Sequence, residues 1–201
     1  MTNYIILEGV ALCSPYAQGD LDNLCGIYAA INAICLVSAP LHPLRQSQVD
    51  RLLAVGIEYL HRRKWLSDAI IRGMELERQR ALTQHLALEA ERITDLKFSN
   101  AQLFPDRPIN SKDAVLSLIE KSIGSGSALI LCFEKTLWHY TVISSLSSSR
   151  IYLFDSYGFK WIERRSFEIS GSPVKARHRL PLDSIIEVGC RKASETWSPG
   201  F

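Results

Sequence analysis

Residues 25–37 of the chain read CGIYAAINAICLV. No charged side chain interrupts this run, and apolar residues would occupy every side of a helix formed by it. A helix that is apolar all round is buried in the middle of a domain, whereas a surface helix has a polar face. The segment QGDLDN at 18–23 comes just before it and is rich in residues that favour turns. We therefore predict a polar turn followed by a central buried helix that begins at Cys25.

The rest of the chain separates into a helical part, about 24–123, and a sheet part, about 127–190. In the first part, apolar residues recur at helical spacing after serines that can cap a helix, and residues 99–110 are expected to form a loop. In the second part, short β-type runs alternate with turn residues. The expected elements are helices at 25–37, 47–63, 66–93 and 111–123, strands at 128–134, 138–144, 151–155 and 159–163, and a helical turn at 181–186 before a final strand. This order predicts one α+β domain, 1–201, with an antiparallel sheet.

The composition is that of an ordinary globular protein, with 47% hydrophobic and 22% charged residues in a chain of 201. The formal net charge of +2 is too small to predict nucleic acid or an anionic membrane as the main partner. No run approaches the roughly 18 apolar residues of a membrane span. The first residues, MTNYIILE, lack the basic start and long apolar core of a signal peptide. We expect a cytoplasmic protein, with export by a route that needs no cleavable signal left open.

The chain has five cysteines, an odd number that does not suit a disulfide scaffold. No His/Cys cluster has zinc-ligand spacing, so we expect no metal and no other cofactor. Most free cysteines are small buried hydrophobic residues, as expected for Cys35. Cys25 differs because it begins a helix, where unpaired N–H groups and the helix dipole favour the thiolate. Gly26 is expected to leave space beside the sulfur for a substrate carbonyl, so Cys25 is the predicted nucleophile.

A nucleophilic thiolate needs a base that takes and returns a proton. Among five histidines, only His139 lies at the start of an alternating β-type run, where it is the second residue of WHYTVI at 138–143. His178, by contrast, is expected in a basic loop. The run RIYLFD at 150–155 is the expected hairpin partner of the first run and ends at Asp155. Because the start of one strand lies beside the end of its antiparallel partner, Asp155 can orient the imidazole.

Each of these residues also has a purely structural interpretation. A histidine on a strand is often a satisfied structural residue, and an aspartate at a strand end is often a turn former. Cys25, His139 and Asp155 nevertheless occur together, each in the structural context that its role requires, and this combination predicts a catalytic triad. Trp138, beside the histidine, is expected either to shield the His–Asp hydrogen bond from water or to pack in the core.

Three short segments of the chain resemble the papain-like cysteine peptidases. They are LCGIYA at 24–29, HYTV at 139–142 and FDSYG at 154–158. The branch most similar in character is that of the bacteriocin-processing peptidase domains. This branch has a Cys-Gly at a helix start, a His-aromatic-x-Val strand, and an Asp with a nearby Gly at the end of the next strand. The present chain has Ser156 where that branch usually has proline, and residues 40–125 are not covered by the resemblance.

The resemblance implies a papain-like fold, in which the helix that carries Cys25 packs on the sheet that carries His139 and Asp155. It also implies a side-chain donor to the oxyanion, the role of Gln18. In that family the glutamine precedes the cysteine by one residue fewer than the seven found here, so Asn23 is an alternative donor. The implied activity is that of a thiol hydrolase that cuts an amide bond in a protein substrate, as a protease or an isopeptidase.

Three other functions stay open at this level. The same side chains would serve a protein glutamine deamidase that acts as an effector or toxin, or a peptidoglycan amidase. A binding module that keeps the fold without turnover is the non-enzymatic alternative. An inhibitor or immunity protein is a further partner that an effector of this kind would have.

Overall fold

The computed structural model describes residues 4–19, 23–104, 111–135 and 138–195. Within these ranges, five α-helices and nine strands form an α+β fold, which confirms the predicted class. The helices are α1 (Cys25–Ser38), α2 (Gln46–Arg62), α3 (Leu66–Arg72), α4 (Leu76–Ile93) and α5 (Lys112–Gly124). The strands are β1 (Ile5–Ile6), β2 (Leu96–Gln102), β3 (Ala128–Lys135), β4 (His139–Leu146), β5 (Arg150–Phe154), β6 (Trp161–Glu163), β7 (Phe167–Ile169), β8 (His178–Leu180) and β9 (Ile186–Lys192).

The main path of the sheet runs in the order β2-β9-β3-β4-β5-β6, and all neighbours along it are antiparallel. The short strand β1 pairs with the end of β4, and β8 pairs antiparallel with the end of β3. The pair β7–β8 is parallel. All eight residues of the central strand β4 are buried. The hairpin of β4 and β5, predicted from the alternating runs, is confirmed.

Helix α1 lies at the centre of the fold, and all 14 of its residues are buried. It contacts α2 and α4 as well as strands β3, β4 and β9, as an all-apolar helix must if every face is to leave water. Its buried amide, Asn32, accepts a hydrogen bond from Tyr16 N–H (2.7 Å) and donates one to the Tyr16 carbonyl (3.3 Å). A buried polar side chain needs such partners. Asn32 thereby fixes the segment that precedes the helix.

The edge strand β2 contradicts the expected loop at 99–110. Residues 99–102 belong to β2, which pairs along its length with β9, and residues 105–110 lie outside the described ranges. The strand also shows that the predicted helical part contributes to the sheet. Because β9 lies far along the chain, local sequence carries no sign of the pairing that forms β2.

The second correction concerns His178, which was expected in a basic loop and lies in a strand. It is buried in β8, where it is opposite Lys135 of β3 and Phe167 of β7. Residues 66–93 are helical as expected, and they form two helices, α3 and α4. The chain breaks between α3 and α4 at Gly73, whose φ of +79° lies in the left-handed region that glycine tolerates.

The serines at the starts of two predicted helices, Ser111 and Ser47, were expected to cap them, and only one does. Ser111 caps α5 as expected, its hydroxyl accepting a hydrogen bond from the Ala114 N–H. In α2 the cap is supplied by Gln48, whose side-chain oxygen accepts from the Arg45 N–H at 2.9 Å, and not by Ser47. Among the helices of the described residues, none combines the length and the apolar character that crossing a membrane requires.

Candidate active site

Cys25, His139 and Asp155 meet at one end of the sheet, although they are far apart in sequence. Cys25 is the first residue of α1, His139 is the first residue of β4, and Asp155 follows the last residue of β5. All three are buried, with 7%, 9% and 4% of their surface exposed. A side chain at the end of a helix or strand can face a cleft while the rigid element holds its backbone in place.

The carboxylate of Asp155 is fully engaged by hydrogen bonds. Its Oδ2 lies 2.7 Å from His139 Nε2. Its Oδ1 accepts backbone N–H groups from Tyr157 (2.9 Å) and Phe159 (3.1 Å). Since Nε2 of the ring is bound to Asp155, Nδ1 is the ring nitrogen left for the Cys25 side chain, which is the second hydrogen-bond partner of His139.

The charges of the three side chains are coupled. Burial alone would lower the pKa of His139, but its interactions with Asp155 and Cys25 outweigh burial and raise the pKa to about 9. Burial would raise the pKa of Asp155, but the hydrogen bond and charge of His139 hold it below its ordinary value. At neutral pH the histidine is therefore protonated and the aspartate ionised.

The other cysteines have a different environment. Burial raises the pKa of Cys35, Cys132 and Cys190, each to about 12, and it also raises the pKa of Cys13. A thiol with a raised pKa has little thiolate at neutral pH and is a poor nucleophile. None of these four thiols is among the residues that line the cleft with Cys25 and His139.

The space beside Gly26 is not open, so that expectation is wrong. Gln79 of α4 donates its side-chain N–H to the Gly26 carbonyl at 2.8 Å. A Cβ at Gly26 would overlap the Gln79 Oε1. The glycine instead allows α4 to approach the first turn of α1.

The opening of the site is a cleft of about 400 Å³ above Cys25 and His139. It is lined by both oxyanion candidates, by the end of α3, and by three aromatic residues: Gln18, Asn23, Cys25, Ile71, Arg72, Gly73, Trp138, His139, Tyr157 and Phe159. A second cleft of about 410 Å³ lies beside the start of α2 and contains none of the candidate catalytic residues. The chemistry of the lining therefore favours the first cleft as the site.

The two candidate oxyanion donors are held differently. Gln18 donates its backbone N–H to the Ser156 carbonyl (2.9 Å), and its Oε1 accepts from the Ser156 hydroxyl (3.4 Å). Asn23 donates its side-chain N–H to the Ile70 carbonyl at 2.8 Å. To donate to a substrate, the Asn23 amide would have to give up this hydrogen bond, which holds the end of α3.

The aromatic residues around the histidine were only partly foreseen. Trp138 is 70% exposed, so it does not pack in the core. The ring of Phe159 instead lies edge-on to His139, with 5.6 Å between ring centroids, and Tyr157 lies at 6.3 Å. The aromatic residues on either side of Gly158, just after Asp155, were the available sequence signal for this contact.

The presence of Arg72 at the cleft was not predicted from sequence either, because a short helix such as α3 shows little periodicity.

Among the described residues, no group of three or more His, Cys, Asp or Glu side chains is placed to hold a metal ion. Comparison of the chain with protein-family models, with curated proteins and with solved structures found no match. The class of protein therefore has to be argued from the geometry of the site.

Proposed function

We propose that this protein is a papain-like cysteine hydrolase that cuts an amide bond in a cytoplasmic protein substrate. The observation that supports this best is the 2.7 Å contact between His139 Nε2 and Asp155 Oδ2, beside a cysteine that begins a buried helix. This is the arrangement of nucleophile, base and orienting group that nucleophilic catalysis requires. It opens to a cleft of a size suited to a substrate side chain.

The reaction starts from a Cys25 thiolate beside a protonated His139, and in its first half the thiolate sulfur attacks the carbonyl carbon of the scissile amide. A C–S bond forms, and the π electrons of the carbonyl move to its oxygen. The backbone N–H of Cys25 and the side-chain N–H of Gln18 stabilise this oxyanion. His139, protonated because its pKa is about 9, gives its proton to the amide nitrogen; the C–N bond breaks and the amine leaves.

In the second half, water hydrolyses the thioester. The neutral His139 takes a proton from water as the water oxygen bonds to the thioester carbon. The C–S bond breaks, the carboxylic acid leaves, and the thiolate–imidazolium pair forms again. Asp155 holds the ring in the tautomer and orientation that both halves need.

A protein amide fits this site better than a cell-wall peptide. The net charge of +2 gives the molecule no strong attraction to a polyanionic wall. The exposed apolar residues around the cleft suit docking of a protein segment. The scissile group is then a backbone amide, an isopeptide or a glutamine side chain.

The experiment is to incubate the protein, and a Cys25→Ala control, with cytosolic lysate and separately with purified peptidoglycan. A peptidase splits its target, whereas a deamidase releases ammonia and changes the mass of one residue without shortening the chain. We expect a Cys25-dependent change in a lysate protein. Cleavage of peptidoglycan alone would contradict the protein substrate. No Cys25-dependent change in either material would contradict the hydrolase and favour the non-enzymatic binding module.

A further inference from the structure

Exposed apolar side chains surround the cleft above Cys25. Trp138, Tyr157 and Phe159 line it with 70%, 57% and 38% of their surface exposed, and Ile71 joins them from α3 with 68% exposed. Large apolar residues scattered singly on a surface are ordinary, but a group around one cleft indicates a surface that binds a ligand. An apolar side chain of a substrate would cover this group.

The backbone fixes two of these aromatic residues against the candidate catalytic pair. Asp155 Oδ1 accepts the N–H groups of both Tyr157 and Phe159, and Gly158 between them has a φ of +91°. The two rings pack on each other with 5.9 Å between centroids. The carboxylate that orients His139 therefore also holds this turn, and a side chain bound on the turn lies close to the reacting atoms.

The backbone conformation of Trp138 is a second, independent observation. Its φ of +43° lies in the left-handed region, which is unfavourable for a bulky side chain. This strained backbone immediately precedes His139 and holds an indole ring in water. Residues held in unfavourable backbone conformations are concentrated at ligand sites.

Arg72 gives the cleft a charge. It is the last residue of α3 and forms no ion pair with any described residue, and the part of the cleft lining that the structure describes contains no Asp or Glu. The hydrogen bond from Asn23 to the Ile70 carbonyl holds this end of α3 in place. A guanidinium in this position attracts a carboxylate.

We propose that the cleft selects a polypeptide segment that carries a large apolar residue and, next to it, an acidic residue. The apolar side chain packs on Trp138, Tyr157 and Phe159, and the carboxylate binds Arg72. This substrate class rests on the proposed function, because the segment is placed beside Cys25 as the reacting thiol.

The test uses N-acetylated tripeptides that end in a vinyl sulfone, an electrophile that a cysteine thiolate attacks. The set combines Phe or Ser with Glu, Gln or Lys at the two positions before the electrophile, in both orders. Mass spectrometry gives the rate at which each peptide modifies Cys25, divided by the rate of the same protein with iodoacetamide. We expect Phe to exceed Ser by about tenfold or more. We expect Glu to exceed Lys by about fivefold, the size of a partly exposed ion pair.

Variants then separate the roles of the residues. Arg72→Gln should remove the preference for Glu, and Arg72→Glu should turn it into a preference for Lys. Arg80→Gln changes an exposed arginine of α4 that does not line the cleft, and it should keep the preference for Glu. Trp138→Ala should reduce the preference for Phe over Ser.

Equal rates across the set, or no reaction with any of the peptides, would overturn this inference. So would a preference for Glu that survives in Arg72→Gln. These results leave the proposed function standing if iodoacetamide still modifies Cys25 faster than the other thiols. The proposed function fails separately, if iodoacetamide modifies Cys25 no faster than the others.

Discussion

Asp155 connects two parts of the site, because one of its oxygens faces His139 and the other accepts the N–H groups of Tyr157 and Phe159. Replacing the carboxylate by an amide keeps the shape of the side chain and removes its charge. The effects on the histidine and on the turn can therefore be separated at this single residue.

We predict that Asp155→Asn lowers the pKa of His139 from about 9 towards its ordinary value of 6.5, because the main negative charge beside the ring is lost. NMR titration of 13C-labelled histidine measures this, with His139→Gln to assign the signal. His178, whose pKa is lowered by burial, is the internal control and should titrate as before. A wild-type His139 that already titrates near 6.5 would contradict the coupling of the three charges. Turnover should fall by about 10²–10⁴ in this variant.

The same charge coupling predicts how stability depends on pH. Since the pKa of His139 is raised by folding, its contribution to stability is complete below its ordinary value of 6.5 and is lost as the pH rises through about 9. The free energy of unfolding in urea should therefore fall across this range in the wild type, and fall less in Asp155→Asn. Equal slopes in the two proteins would show that another group causes the dependence.

The close packing at Gly26 leads to a third prediction at this scale. Gly26→Ala forces the Gln79 amide out of its buried position beside α1, so we expect a loss of about 1–3 kcal/mol in the free energy of unfolding. The matched control is Gly124→Ala at the end of α5, where a Cβ meets nothing within 4 Å. In Gly26→Ala/Gln79→Ala the loss should be smaller than the sum of the single losses, because the overlap is gone. Strict additivity would contradict the overlap.

At the scale of elements, the candidate site depends on how two connections are fastened. The segment with Gln18 is bound to the turn after β5 through Ser156, and the end of α3 is bound to Asn23. The first connection carries the expected oxyanion donor, and the second carries Arg72 into the cleft. Mutations in the two connections should therefore have different signatures.

We predict that Gln18→Ala lowers turnover by about 10²–10³, the usual effect of losing one oxyanion donor. Asn23→Ala should instead increase hydrogen exchange in α3, because the hydrogen bond to Ile70 is lost. Exchange mass spectrometry and turnover, measured on both variants, separate the two roles. A large loss of turnover in Asn23→Ala without faster exchange in α3 would assign the oxyanion role to Asn23.

The elements that could be predicted from sequence are those with a strong local pattern. Helix α1 has apolar residues on every side, and α5 has a capping serine and a regular buried face. Strands β2, β7 and β8 escaped prediction because each is short or depends on partners distant in the chain. The space at Gly26 was misjudged for the same reason, since Gln79 reaches it only through the packing of α4 on α1.

At the scale of the whole molecule, the candidate site is assembled by long-range packing. Helix α1 and strand β4 pack on each other at the core, and the turn after β5 closes the site. The proximity of Cys25, His139 and Asp155 could be predicted from sequence because each lies at the end of a well-patterned element. The presence of Arg72 and Phe159 at the cleft and the exposure of Trp138 could not, because these residues lie in short or irregular segments whose position is set by tertiary contacts.

Solvent exposure and chemistry rank the five thiols differently. Cys13 and Cys190 are partly exposed, whereas Cys25 is buried at the base of its cleft. If accessibility alone decided reactivity, the two exposed thiols would react first. If the contact with His139 decides, Cys25 reacts first, because burial raises the pKa of the other four.

Alkylation of the native protein by limiting iodoacetamide, with the adducts mapped by mass spectrometry, therefore tests the central claim most directly. We predict that Cys25 carries most of the label at neutral pH, and that His139→Ala slows its labelling by about tenfold or more while the other thiols are unchanged. Labelling dominated by Cys13 or Cys190, or labelling of Cys25 that does not depend on His139, would contradict the assignment of Cys25 as a catalytic nucleophile.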